Sequence, residues 1–167
     1  MFVLRVLVCV GILAALCTPA AIASPPSLAA IVGVSDGAVT EAILVASAGA
    51  ARRLERPSCA AVLDEFRAAD GRTLRDVVTA QAWSVADVAG RVIFRDGAAS
   101  AVCRERGIAA FTGAGSRVVF VCGRRFAAFD RTQAELTLVH EFLHTLGLEE
   151  RPPLPAEIDR AVHRACA

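Results

Sequence analysis

The chain has 167 residues, eighteen basic against seventeen acidic side chains, no tyrosine and a single methionine. Every basic residue is an arginine scattered among carboxylates, so there is no basic stripe of the kind that phosphate backbones require. This excludes nucleic acid as the expected partner, and the length admits one ordinary domain rather than two.

The N-terminus carries one Arg5, then an apolar run, then Ala21-Ile22-Ala23 ahead of Ser24. A positive end, an apolar centre and a small-x-small site predict a signal peptide over 1–23 and a secreted or periplasmic product with no stable membrane association. The alternative is an uncleaved anchor, because about 17 apolar residues suffice to span a bilayer. Cys9 and Cys17 follow Val8 and Leu16, and neither has the small preceding residue expected of a lipidated cysteine. Residues 24–35, rich in proline and small side chains, read as a flexible lead-in, and 36–167 as the folded domain.

Val39 to Leu54 runs without a breaker except Gly49 and predicts a helix. Ser58 is placed to cap a second helix through Phe66, with Val62, Leu63 and Phe66 as its apolar stripe. Leu74 to Trp83 predicts a short third helix, with Trp83 as a core anchor. Strand signals then take over. Arg91 to Arg95 is β-branched and aromatic and ends at Asp96-Gly97, while Ile108–Phe111 and Arg117–Val121 flank Gly113-Ala114-Gly115 as a β-hairpin. The glycine-rich turn lacks the lysine and following helix of a phosphate loop.

Cys59, Cys103, Cys122 and Cys166 form an even set in an exported domain, which predicts two disulfides. Three connectivities are possible. The expected one is Cys59–Cys103 with Cys122–Cys166, the second clasping the segment that carries the site.

After a connection over Gly123–Asp130, Thr132 and Glu135 have the spacing of a capping box. On the helix they open, Leu136, Leu138, Val139, Phe142, Leu143 and Leu146 share an apolar arc of about 160 degrees. His140 and His144 lie outside it, four residues apart and close in angle. They belong to His140-Glu141-x-x-His144, followed by Gly147 and Glu150. Two imidazoles on one helical face can hold one zinc ion, and the intervening glutamate can serve the water that the ion activates. Gly147 lets the chain leave the helix through a left-handed conformation, and Arg151-Pro152-Pro153 stops it resuming. That turn can return Glu150 as third ligand, with Asp159 and Glu157 as alternatives and Glu149 read as solvated. Pro155 to His163 predicts a last helix; His163 is read as a surface residue or as a stabiliser of charge on a carbonyl oxygen.

The segment from His140 to Glu150 resembles the zincin metallopeptidases, and its extended form resembles the metzincin branch. There the last position is normally histidine and, in some small bacterial secreted members, aspartate; glutamate is a departure. No methionine remains for the methionine turn of that branch. The resemblance covers about eleven residues and the expected edge strand and implies a zincin-like domain around an active-site helix; with the N-terminal helices and the short antiparallel sheet read above, the expected fold class is α+β. It implies a Zn2+ cofactor held by His140, His144 and Glu150, Glu141 as general base, and a peptide or protein substrate paired along an edge strand at Arg117–Val121. A monomer is expected. The competing expectation is an exported, disulfide-stabilised binding or structural module whose zinc site is saturated by protein ligands.

Overall fold

A computed structural model describes residues 31–167; the expected signal peptide, and 24–30 of the expected lead-in, lie outside the described residues. The architecture is α+β: helices pack on a small four-stranded sheet of order β1-β2-β4-β3. Its strands are β1 (Ile31–Gly33), β2 (Ile93–Asp96), β3 (Ala110–Phe111) and β4 (Val118–Val121).

The sheet is mixed, which corrects the expected antiparallel one. β1 pairs with β2 and β2 with β4 in parallel, and only β3 runs antiparallel, on β4. The physical cause is connectivity. β1 and β2 are separated by a long helical excursion, which can return a strand in parallel where a tight turn cannot. Ile31–Gly33, assigned by composition to the lead-in, is β1. The hairpin forms with Ala110 opposite Val121 and Phe111 opposite Phe120. A second correction follows: β4 is bonded on both sides, so the edge strand on its side of the sheet is β3 and not Arg117–Val121.

Between β1 and β2 run α1 (Gly37–Glu55), α2 (Pro57–Ala60), α3 (Val62–Glu65), α4 (Leu74–Ala80) and α5 (Val85–Gly90). The Asp36 carboxylate accepts from the amides of Ala38 and Val39 and starts α1. Val39, Ile43, Ala46, Ala50 and Leu54 then recur at helical spacing and are buried. The expected helix over 58–66 is split in two. Pro57 takes the first helical position without any side-chain cap, so Ser58 does not cap it, and Phe66 leaves in extended conformation. Thr73 with Asp76 and Ser84 with Asp87 form capping boxes on α4 and α5. Trp83 sits half-buried at the core edge with the Arg91 guanidinium 4.3 Å above its ring.

After β4 come α6 (Gly123–Ala127), α7 (Arg131–Thr145) and α8 (Pro155–Cys166). The stretch read as a plain connection therefore contains a short helix. Its Arg125 donates to the carbonyls of Glu105 and Ile108, tying down the loop before β3. The N-cap of α7 is Asp130, which accepts from the Gln133 amide at 2.8 Å, and not Thr132. Glu135 is thereby released from capping. It lies buried against α1 at Gly49, bonded by Arg53 at 2.7 Å and Arg131 at 2.8 Å.

The disulfides are Cys59–Cys166 and Cys103–Cys122, correcting the expected pairing. α8 packs back onto α2, which brings Cys166 to Cys59, while Cys122 at the end of β4 meets the turn carrying Cys103. Arg53 and Arg56 both donate to the Cys166 carbonyl and reinforce the first clasp. Two disulfides are compatible with an extracellular protein. Among the described residues no helix is long and apolar enough to cross a membrane.

Candidate metal centre

α7 is buried on nearly every side, because α1, α8 and the hairpin pack around it. Its apolar arc enters the core: Leu138, Val139, Phe142 and Leu143 have no solvent exposure. His140, Glu141 and His144, on the polar side, are buried as well. Burial of polar groups is costly unless they are bonded, so the partners of these three side chains define the site.

The helix ends in a Schellman motif. Gly147 has φ +102°, its amide donates to the His144 carbonyl at 2.9 Å, and the Leu148 amide donates to that of Leu143 at 3.3 Å. A side chain at Gly147 would meet Ala68 Cβ at 3.1 Å, so both backbone and space demand glycine. The turn is pinned from outside by an antiparallel bridge between Ala68 and Leu148, and the hairpin tip is pinned by Gly115 N–H donating to the His144 carbonyl at 2.8 Å. Leu148 buries its side chain in the core. Glu150 follows, and its carboxylate turns back to the two imidazoles.

The ring orientations are set on their far sides. His144 Nδ1–H donates to the Leu148 carbonyl at 2.8 Å, and His140 Nδ1–H donates to Asp159 Oδ1 on α8 at 2.8 Å. These bonds assign the tautomers and leave a lone pair on each Nε2. The two Nε2 atoms stand 3.0 Å apart, with Glu150 Oε1 at 3.3 Å from His144 and 3.7 Å from His140. With both imidazoles neutral, three lone-pair donors thus face one point, an arrangement that a cation satisfies. The triangle with sides of 3.0, 3.3 and 3.7 Å has a circumscribed radius of about 2 Å, close to zinc–nitrogen and zinc–oxygen bond lengths. The residues present therefore fit a zinc ion, and His140, His144 and Glu150 are the group that could hold it.

Glu141 differs from all of these. It is 5 % exposed, and its Oε2 has no hydrogen-bond partner among the described residues. Burial pushes its carboxyl up to about 7; His140 opposes this, and the Glu150 and Asp159 carboxylates add to it. His140 is drawn down by burial but lifted further by its bond to Asp159 and by the carboxylates around it, so it lies above the ordinary histidine value. His144 lies below that value, chiefly because it is buried, and neutral imidazole is the form that binds metal.

The alternative ligands are engaged elsewhere. Asp159 orients His140 from behind, a supporting role that histidine ligands commonly have filled by a carboxylate. Glu157 Oε2 accepts from the Leu154 amide at 2.8 Å at the start of α8 and lies away from the triad. His163, one turn beyond Asp159, lines the same cleft as the triad. The opposite wall is the segment from Val102 to Thr112, which ends in β3. Sequence reasoning missed both the orienting role of Asp159 and this wall; the available signal was the spacing of Asp159, Val162 and His163 on one face of α8. Comparisons of the chain with family models, curated proteins and solved structures found no match.

Proposed function

We propose that this protein is an exported, zinc-dependent peptide-bond hydrolase of zincin type. The observation that carries the reading is the convergence of His140 Nε2, His144 Nε2 and Glu150 Oε1 beside buried Glu141, whose Oε2 has no partner among the described residues. When bound, zinc supplies a Lewis acid that polarises water and a peptide carbonyl. Glu141 takes the proton from that water and delivers it to the leaving amine, a task for which a carboxyl near pH 7 is suited. Asp159 and the Leu148 carbonyl keep both Nε2 lone pairs directed at the ion. The free edge of β3, beside the triad, offers backbone groups to an extended substrate. His163, which lines the cleft, is the residue we assign to stabilise charge on the carbonyl oxygen.

A saturated structural zinc site would need a fourth protein donor. Engagement of Asp159 and Glu157 elsewhere supports the catalytic reading instead, because a hydrolytic site keeps one position for water. The test is zinc content and peptidase activity together. The wild type should bind one zinc per chain, and chelation should lower Tm by roughly 8 °C from a saturated sample, the value for ligand at about 100 times Kd. Glu141→Gln should retain zinc and lose about a hundredfold or more in turnover. His144→Ala should lose the zinc itself. Full activity in Glu141→Gln would remove the proposed base, and unchanged zinc in His144→Ala would remove the site.

A further inference from the structure

We propose that the cleft selects internal peptide segments with a bulky apolar side chain beside the triad and basic flanks, and that it rejects acidic segments. The reaction it would serve rests on the hydrolase reading, while the binding preference does not.

The cleft has a volume of about 860 Å³, within the range of ligand-binding pockets. It runs along α7 from Gln133 past Thr137 and His140 to His144. Beside Gln133 and Thr137, its lining includes a set of apolar side chains: Val102 and Ile108 from the wall, Phe129 from the connection before α7, Leu136 on α7 and Val162 on α8. Leu136 and Val162 are themselves buried. Such a surface gains by covering a large aliphatic or aromatic side chain.

Apart from the three histidines His140, His144 and His163, the ionisable lining is of one sign. Glu141, Glu149, Glu150 and Asp159 all face the cleft, and among the described residues that line it none is Lys or Arg. A divalent ion offsets two of the three charges on Glu149, Glu150 and Asp159, so the loaded cleft stays anionic even with Glu141 uncharged. An acidic substrate side chain meets repulsion and finds no partner, which is rejection by an unfavourable contact as well as by lack of a favourable one. A basic side chain meets Glu149 and Asp159 at the rim. The same lack of cations argues against recognition of a chain-terminal carboxylate and for internal segments. Glu141 adds a sign that a ligand belongs here, since its buried Oε2 has no partner among the described residues.

The test uses the oxidised, zinc-loaded Glu141→Gln protein and fluorescein-labelled decapeptides with a central Leu-Leu, flanked by Arg, Ser or Glu, read by fluorescence anisotropy. At low salt the Arg-flanked peptide should bind at least about tenfold tighter than the Glu-flanked one, and the difference should shrink several-fold at about 0.5 M salt. Replacing the central Leu pair with Ser should weaken binding by about tenfold or more. Adding Glu149→Gln should narrow the Arg-over-Glu preference about threefold. Equal affinity for the Arg and Glu peptides, or binding of neither, would overturn the proposal. The wild type separates the two ideas. Tight binding of the Arg peptide without cleavage defeats the hydrolase reading and leaves the selectivity standing. Equal cleavage of Arg- and Glu-flanked peptides defeats the selectivity and leaves the hydrolase reading standing.

Discussion

Replacing Gly49 with alanine sets two physical effects against each other. Gly49 lies inside α1, where alanine is favoured over glycine by about 1 kcal/mol through helix propensity alone. A Cβ built there, however, falls 2.0 Å from Glu135 Oε1, 2.3 Å from its Cδ and 2.6 Å from its Cγ. No relaxation of a few tenths of an ångström relieves this; the Glu135 side chain must leave. It then gives up its bond to Arg131, which is largely exposed and worth about 0–1 kcal/mol. It also abandons Arg53, only 15 % exposed, and breaking a buried pair of that kind costs about 3–5 kcal/mol. The net expectation for Gly49→Ala is a loss of about 2–5 kcal/mol, measured by urea unfolding of the oxidised protein with unchanged m. In a Glu135→Ala background the same substitution should become neutral or stabilising by about 1 kcal/mol. A Gly49→Ala protein as stable as the wild type, or an equal cost in both backgrounds, would refute the argument.

The same carboxylate gives a pH dependence. Burial raises the Glu135 carboxyl, but the Arg131 and Arg53 bonds outweigh it and hold the group below its ordinary 4.5. Its contribution is therefore complete above pH 4.5 and is lost as pH falls through the lower folded value, so Glu135→Gln should flatten stability against pH on the acid side; an unchanged acid slope would contradict this. Removing Cys59–Cys166, which spans 107 residues, should cost about 4.7 kcal/mol, against about 3 kcal/mol for Cys103–Cys122, which spans 19. Thermal unfolding of the paired Cys→Ser variants checks the order, and a non-reducing peptide map checks the pairing. Asp159→Asn should weaken zinc binding about 10–100-fold with the fold intact, by competition with a chromophoric chelator; unchanged affinity would deny the orienting role.

Local chemistry made much of the candidate site legible. Imidazoles four apart on a helix must share a face, and a glycine followed shortly by two prolines must end that helix and turn the chain, so His140, His144 and Glu150 could be brought together from spacing alone. The helices α1, α4 and α8 and the β3–β4 hairpin were legible for the same reason: their periodicity and turn residues act over a few positions. Other features depend on what arrives from far along the chain. Three residues of β1 carry too little pattern to stand out, and only pairing with β2 makes them a strand. Thr132 and Glu135 satisfy a capping pattern, yet Asp130 takes the helix end, and Glu135 is claimed by Arg53 from α1, 82 residues away. Asp159 is one carboxylate among several until α8, clasped through Cys166, sets it behind His140. Which cysteines meet, which strand keeps a free edge and which acid orients rather than ligates are consequences of packing, because each is decided by the distance between segments whose sequences hold no information about one another.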